Sequence, residues 1–219
     1  MKVLDQAEIL LKELFLDYHK MLMKWSDTTG QSSQLDSGYI AQHLISLLTG
    51  IKGSGMRGKG KDLQDDSEIK TASSVAGVDV PRWNQPMGAT EESRVKKMNE
   101  FLKHPSIYYV LFDTRKNSDQ VRVRVWKVLP ESDADFQKVV RTWDKMFPPP
   151  SYNFQLHPPV RKDSNVATNE AGNIDLPLMF EAREDGKGLM KVHLFDPSNR
   201  KSKYIPRGNR SQSKLDPFH

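Results

Sequence analysis

The order of predicted helices and strands along this chain is the sequence feature that most limits its possible folds. It is read from the spacing of the apolar residues, which is helical in some segments and strand-like in others. Spacings of three and four residues predict helices over 5–25 and 38–49. Start and stop signals predict two more, from Thr90 to about Pro105 and over 133–146. Short apolar runs predict strands over 67–73, 107–113, 120–128, 176–183 and 189–195. This order predicts an α/β fold, with a central mixed β-sheet flanked by helices.

The first helix is predicted to begin with a capping box of Asp5 and Glu8 and to pack through one apolar side. The residues at helical spacing on that side are Ala7, Leu11, Leu14, Tyr18, Met21 and Trp25. Turn residues dominate 75–86 and 151–175, so both segments are predicted to be irregular. We expect a single domain over 1–219, which ends in a basic tail over 197–219.

The composition excludes several classes of protein. The chain has no cysteine, which excludes disulfides, zinc ribbons and cysteine nucleophiles. No apolar run approaches the ~20 residues that span a bilayer, so we expect no membrane contact. Asp5, Glu8 and Glu13 lie where a secretory signal would be basic and then continuously apolar. A cytoplasmic protein is therefore expected.

The distribution of charge points to a polyanionic partner more clearly than the net charge of +5 does. A glycine-rich basic loop over 51–61 is followed at once by four acids within seven residues. The bases of the loop are Lys52, Arg57, Lys59 and Lys61, and the acids are Asp62, Asp65, Asp66 and Glu68. The basic tail fits either a solvated segment or a phosphate-binding arm.

The acidic cluster runs into a predicted strand that carries both an acid and a lysine. If 67–73 is a strand, Glu68 and Lys70 lie on one face, about 7 Å apart, while Ile69 faces the other way. Alone, this pair would be a simple salt bridge. Four neighbouring acids repel one another unless a cation or solvent compensates, and magnesium prefers such oxygen ligands. With a basic loop that suits phosphates, the segment has the groups needed for phosphodiester hydrolysis.

At these residues the sequence resembles the PD-(D/E)xK nuclease motif. Asp62 is followed after five residues by Glu68, Ile69 and Lys70, and the pattern over 38–81 is similar to that of mismatch-repair nicking enzymes and type II restriction endonucleases. The string SEIKTAS, continuing to GVDVPRWN, most resembles the MamI-like group of restriction enzymes. The resemblance implies a restriction-endonuclease-like core. Lys61 stands where the motif normally has proline.

The resemblance implies a role for each residue of the motif. Asp62, Glu68 and the carbonyl of Ile69 bind Mg²⁺, for which Mn²⁺ can substitute, and the ion activates a water molecule. Lys70 orients or deprotonates that water and stabilises the charge of the transition state; beside two carboxylates it is expected to stay protonated, which favours electrostatic support over the role of general base. Some relatives use a helical glutamate as an extra ligand, and Gln42 is the nearest residue here.

A second aspartate competes with Asp62 for the metal. Strand alternation alone would favour Asp66, on the same face as Glu68 and Lys70. However, a ligand from a neighbouring segment surrounds a hard cation better than three groups in one row. We therefore expect Asp62 to be the ligand, with Asp65 and Asp66 as turn residues.

Two segments and the basic loop are predicted to contact DNA. Arg57, Lys59 and Lys61 are predicted to bind phosphates. Asparagine and glutamine pair with adenine, and arginine with guanine, so polar residues in 82–85 and 153–173 are predicted to read bases. These residues are Arg82, Asn84, Gln85, Gln155, Arg161, Asn165 and Asn169. Trp83 fits either base stacking or the edge of a core.

The hypothesis that joins these predictions is a type II restriction endonuclease. Such an enzyme would be a homodimer that cuts both strands of double-stranded DNA at a palindromic site, with a cognate DNA methyltransferase in the same restriction-modification system. Two alternatives remain open: a monomeric nicking, mismatch-repair-type or junction endonuclease with the same core, and a non-catalytic DNA-binding protein whose acidic cluster is a solvated turn.

Overall fold

The structure, a computed structural model, describes residues 2–31, 36–55, 62–74, 80–114, 121–150, 153–159 and 164–206. Its helices are α1 (Val3–Leu11), a π-helix (Lys12–Asp17), α2 (Tyr18–Thr29), α3 (Ser37–Thr49), α4 (Glu91–Leu102) and α5 (Ala134–Met146). Its strands are β1 (Glu68–Ser74), β2 (Trp83–Gln85), β3 (Ile107–Asp113), β4 (Arg122–Val128), β5 (Phe154–Leu156), β6 (Val166–Asn169), β7 (Gly172–Asp175), β8 (Leu178–Glu184), β9 (Met190–Phe195) and β10 (Lys203–Ile205).

The centre of the fold is a five-stranded sheet in the order β1-β3-β4-β8-β9. Strand β1 is parallel to β3, and the other neighbours are antiparallel, which confirms the predicted mixed sheet. All seven residues of β3 are buried, because helices cover both faces of the sheet at this strand. The parallel pairing places the amino end of β1, and the acids before it, beside the amino end of β3.

Two apolar cores lie on opposite faces of this sheet. Tyr108 and Val110 pack into the core shared with α1 and α3. The alternate residues Tyr109 and Leu111 pack into the core shared with α4, α5 and the smaller strands. Since neighbouring residues of a strand point to opposite faces, β3 contributes to both cores.

The first helix differs from its prediction in its start and in its buried side. Its capping acid is Asp5, which accepts from the backbone N–H of Lys2 (3.2 Å), whereas Glu8 bonds to the backbone of Val192 in β9. After Leu11 the predicted apolar side turns outward: Leu14, Tyr18, Met21 and Trp25 are exposed, and Phe15, Leu16 and His19 are buried instead. The cause is the π-helix, whose wider turn holds more residues than an α-helical turn and rotates the helix surface that follows it.

The prediction that 151–175 is irregular was wrong, because three short strands lie in this segment. β6 and β7 form an antiparallel pair that continues into β10, and β5 pairs with β2. Strands of three or four residues, separated by proline and asparagine, show too few alternations to be recognised in the sequence. The buried guanidinium of Arg124 donates to the carbonyls of Ser164 (3.0 Å) and Pro159, which ties this segment to the main sheet.

Ordered structure also occurs in the basic tail and in the segment 75–86. Part of the predicted tail is ordered, since β10 pairs with β7; residues 207–219 lie outside the described part. Trp83, in the segment predicted to be irregular, lies in β2 and is buried, and its indole N–H donates to the carbonyl of Val110 (2.9 Å). It is therefore a core residue. Among the described residues, no helix is both long and apolar enough to cross a bilayer.

Candidate active site

Two backbone hydrogen bonds between 52–54 and 62–64 fix Asp62 next to the amino end of β1. The backbone N–H of Ser54 donates to the carbonyl of Asp62 (3.0 Å), and that of Gln64 donates to the carbonyl of Lys52 (2.9 Å). Leu63, directly after Asp62, is buried in the core shared with α3. Asp62 therefore reaches β1 from a neighbouring segment.

The carboxylate of Asp62 is held at both oxygens. Gln42 in α3 donates from its side-chain amide to Oδ1 (2.8 Å), and the backbone N–H of Ile69 donates to Oδ2 (2.8 Å). Burial raises the pKa of this carboxyl, as does the nearby charge of Glu68, whereas the two donors lower it. Gln42 thus orients Asp62 by donating a hydrogen bond.

Glu68 and Lys70 form an ion pair on one face of β1, as their spacing predicts. The ammonium of Lys70 lies 2.7 Å from Oε1 of Glu68, and the side chains are only 16% and 15% exposed. Ile69 between them is buried in the opposite core. Tyr109, the register partner of Lys70, lies on the same side, and burial, followed by the charge of Glu68, raises its pKa well above the usual value.

The two remaining acids of the cluster build the turn before β1. Asp65 accepts hydrogen bonds from the backbone N–H (3.0 Å) and hydroxyl (2.9 Å) of Ser67. Asp66 has a left-handed backbone with φ of 71°, a conformation that aspartate tolerates better than most residues. Its carbonyl lies 2.8 Å from Nδ1 of His104, so that nitrogen carries the proton and donates.

These residues line a cavity of about 890 Å³ between β1 and the carboxyl end of α4. The wall on the side of β1 contains Asp62, Asp66, Glu68, Ile69 and Lys70. The wall on the side of α4 contains Lys97, Glu100, Phe101, Lys103 and His104. Sequence reasoning missed the second wall, although Lys97, Glu100, Phe101 and His104 have the spacing of one helix face.

The donor set at this wall suits a hard divalent cation. Asp62 and Glu68 line the same cavity, and burial together with the charge of Glu68 disfavours the ionised form of Asp62. A cation between the two carboxylates would relieve this repulsion. Among the described residues, no three His, Asp or Glu side chains gather to hold a metal. A cation would therefore need a backbone oxygen or water as well.

The two segments predicted to read bases meet in one antiparallel ribbon. β2 and β5 pair so that Asn84 lies directly opposite Gln155. Asn84 is exposed and Gln155 is half-buried. The two neighbours of Gln155 in β5, Phe154 and Leu156, are buried. The ribbon therefore presents its amide side chains outward. Arg82 before β2 is exposed.

One predicted DNA contact, Asn169, needs correction, and four others lie outside the described residues. Asn169 is buried, with 1% exposure, and bonds to the backbone of Gln155 and Ala171, so it is a structural residue. Asn165 accepts from the indole N–H of Trp126 (3.0 Å), which holds its side chain against the sheet. Four basic residues that are predicted to bind DNA lie outside the described part of the chain: Arg57, Lys59, Lys61 and Arg161.

Comparisons with known proteins agree with the resemblance at the motif. The family model of the MamI restriction endonuclease matches residues 24–192, which contain the whole site. The chain is 40% identical over 195 residues to the type II restriction enzyme MamI from Microbacterium ammoniaphilum, over 82% of this chain. It spans 63% of the length of that relative. No solved structure matches the chain.

Proposed function

Because the chain belongs to the MamI restriction endonuclease family, we propose that it is a type II restriction endonuclease that hydrolyses phosphodiester bonds of double-stranded DNA at a specific site. The observation that carries this proposal is the arrangement of Asp62, Glu68 and Lys70 at one wall of an open cavity. Two carboxylates and an ammonium group on adjacent backbone segments are suited to phosphodiester hydrolysis.

The proposed cofactor is Mg²⁺, with Mn²⁺ as a substitute. Asp62 and Glu68 would hold it together with the carbonyl of Ile69, and the bound ion would polarise a phosphate and lower the pKa of a water molecule. Gln42 and the backbone N–H of Ile69 keep Asp62 oriented before the metal enters. Lys70, held by Glu68 at 2.7 Å, is positioned to stabilise negative charge on the reacting phosphate.

The wall on the side of α4 is proposed to bind the DNA backbone. Lys97 and Lys103 are exposed and line the same cavity as the acids. Lysine ammonium groups bind phosphates without regard to sequence. Arg57, Lys59 and Lys61, which precede Asp62 in the sequence and lie outside the described residues, are also proposed to bind phosphates.

The β2–β5 ribbon is proposed to read the bases. A two-stranded ribbon fits the major groove, and amide side chains pair with adenine there. Asn84 and Gln155 lie opposite each other on it, with Arg82 and Gln85 beside them. The recognised site is proposed to be palindromic and bound by a homodimer, because a two-fold assembly matches a two-fold sequence. The enzyme is proposed to work in the cytoplasm beside a cognate methyltransferase.

Digestion of a sequenced plasmid in Mg²⁺, followed by mapping of the ends, tests this function. A site-specific enzyme yields discrete fragments whose ends share one sequence, while the matched Glu68→Ala variant yields none. Open circles alone would favour a nicking enzyme and contradict cleavage of both strands. Intact plasmid with the wild-type chain, under conditions in which it binds DNA, would contradict a nuclease.

A further inference from the structure

The rotated surface of the N-terminal helix leaves four large apolar side chains in contact with solvent. Leu14, Tyr18, Met21 and Trp25 are 43%, 42%, 49% and 56% exposed. We call these four residues the helical stripe. Contiguous exposed apolar groups of this kind mark interaction sites in soluble proteins.

The helical stripe has the spacing of a helix-pairing seam. Tyr18, Met21 and Trp25 are separated by three and four residues within α2, so they lie along one face. Leu14 precedes Tyr18 by about one turn of the π-helix. Spacings of four, three and four residues are those at which two helices interlock side chains.

We infer that the helical stripe is an interface with a second copy of this chain, in which the two helices pair antiparallel about a two-fold axis. With the axis midway between Tyr18 and Met21, each tyrosine faces the methionine of the other copy. By the same symmetry, Leu14 of one copy faces Trp25 of the other. The stripe is therefore complementary to itself, as an interface between identical chains requires.

The charges beside the helical stripe favour this partner and this direction. Asp17 directly precedes Tyr18, and Lys24 directly precedes Trp25, so both lie on the same flank. In the antiparallel pair, Asp17 of each copy faces Lys24 of the other, which gives two symmetric ion pairs that set orientation. In a parallel pair these two residues would instead lie against uncharged Leu22 and Thr29.

The same flanking charges make nucleic acid a poor partner for this surface. Acidic and basic residues are mixed along the helix that carries the stripe; they are Glu13, Asp17, Lys20, Lys24 and Asp27. A phosphate-binding surface requires an excess of basic groups. The inference does not depend on the proposed nuclease activity, because the interface would form without DNA. If both hold, the second copy supplies the second active site needed to cut two strands.

Sedimentation equilibrium of the full chain, without DNA or metal, tests the interface. The wild type is expected to dimerise, and Met21→Glu or Trp25→Glu is expected to weaken the dimer at least about tenfold, because each places a charge in the seam. The matched control is Val95→Glu, which alters a residue on α4 that is 48% exposed and should leave the dimer unchanged. A monomeric wild type, or dimers unaffected by both stripe variants, would overturn the inference.

A charge exchange tests the antiparallel register and uses variants that leave the apolar residues intact. Asp17→Lys or Lys24→Asp alone brings like charges together and is expected to weaken the dimer about tenfold. The double exchange restores both intermolecular pairs and should recover the wild-type affinity. It does not restore the ion pair of Asp17 with Lys12 within one chain, so recovery identifies the contact between copies. Failure of the double exchange to recover the dimer would overturn the register.

Discussion

The two walls of the cavity differ in how firmly their charged groups are held. On the side of β1, Glu68 and Lys70 are mostly buried and joined at 2.7 Å, and Asp62 accepts hydrogen bonds at both oxygens. On the side of α4, Lys97 and Lys103 are exposed to solvent. Fixed groups suit transition-state stabilisation, which requires positions set in advance. Exposed lysines can follow a phosphate backbone. We therefore expect changes in the first wall to affect the chemical step and changes in the second to affect binding.

Among the substitutions that compare the two walls, Lys70→Ala is expected to have the largest effect. Removing the ammonium group leaves the developing charge of the transition state unsupported, and loss of such a group lowers the rate ~10²–10³-fold or more. Single-turnover cleavage measures the rate, and binding of the same DNA is followed in Ca²⁺. Lys97→Ala is the matched control on the opposite wall. Equal losses of rate in the two variants would contradict the expectation that only the first wall affects the chemical step.

The next largest effect distinguishes Asp62 from the two other aspartates of the acidic cluster. Asp62→Asn is expected to weaken Mg²⁺ binding and cleavage strongly, because Asp62 is the proposed ligand. Asp65→Asn and Asp66→Asn should cut well, since Asp65 caps Ser67 and Asp66 contributes its carbonyl to His104. Titration of Mg²⁺ in the cleavage assay compares the three. Good cutting by Asp62→Asn beside an inactive Asp66→Asn would reverse the assignment.

On the second wall, Lys97→Ala and Lys103→Ala are expected to weaken binding to all DNA sequences equally. Each should reduce the salt dependence of log K by about one unit, as expected for a lost phosphate contact. Asn84→Ala on the β2–β5 ribbon is the contrast, with an expected loss of ~1–3 kcal/mol at one base pair only. Equilibrium binding to specific and random duplexes across salt concentrations measures both. A lysine variant with altered sequence preference would contradict this division.

The smallest expected effect concerns pH and Gln42. Burial raises the pKa of Asp62, so a proton displaces the metal at a higher pH than at an ordinary aspartate. Gln42→Leu removes a donor to the ionised carboxylate, so the pH at which metal binding is lost should move further up. In the metal-free protein, the contribution of Asp62 to stability falls as the pH rises through its raised pKa. Mn²⁺ binding followed against pH tests the shift, and an unchanged midpoint would contradict it.

Strand faces and helix caps, which depend only on residues close together in the sequence, were predicted from local sequence patterns. The alternation of Glu68, Ile69 and Lys70 placed two charges on one face and an apolar side chain in the core, and the structure confirms both. Thr90 and Asp133 cap α4 and α5 as their residue types predict. Such features require only the backbone geometry of one element.

Features that depend on distant residues or on one irregular turn were not predictable. The wall of Lys97 and Lys103 faces the acids only because β1 and β3 pair in parallel and bring α4 beside them. The segment that contains the short strands is tied to the main sheet by Arg124, which lies in another part of the sequence. A single π-helical segment reversed the predicted burial of Met21 and Trp25, because every residue after it is rotated about the helix axis.

The most direct test of the account is the single-turnover cleavage rate of Glu68→Ala in Mg²⁺, measured beside the wild type on the same plasmid. Glu68 is the proposed metal ligand that also holds Lys70 at 2.7 Å, so both functions of the first wall are lost in this variant. The rate is expected to be lower by several orders of magnitude, with DNA binding in Ca²⁺ and thermal unfolding close to those of the wild type. A rate near that of the wild type would contradict the assignment of the active site to β1.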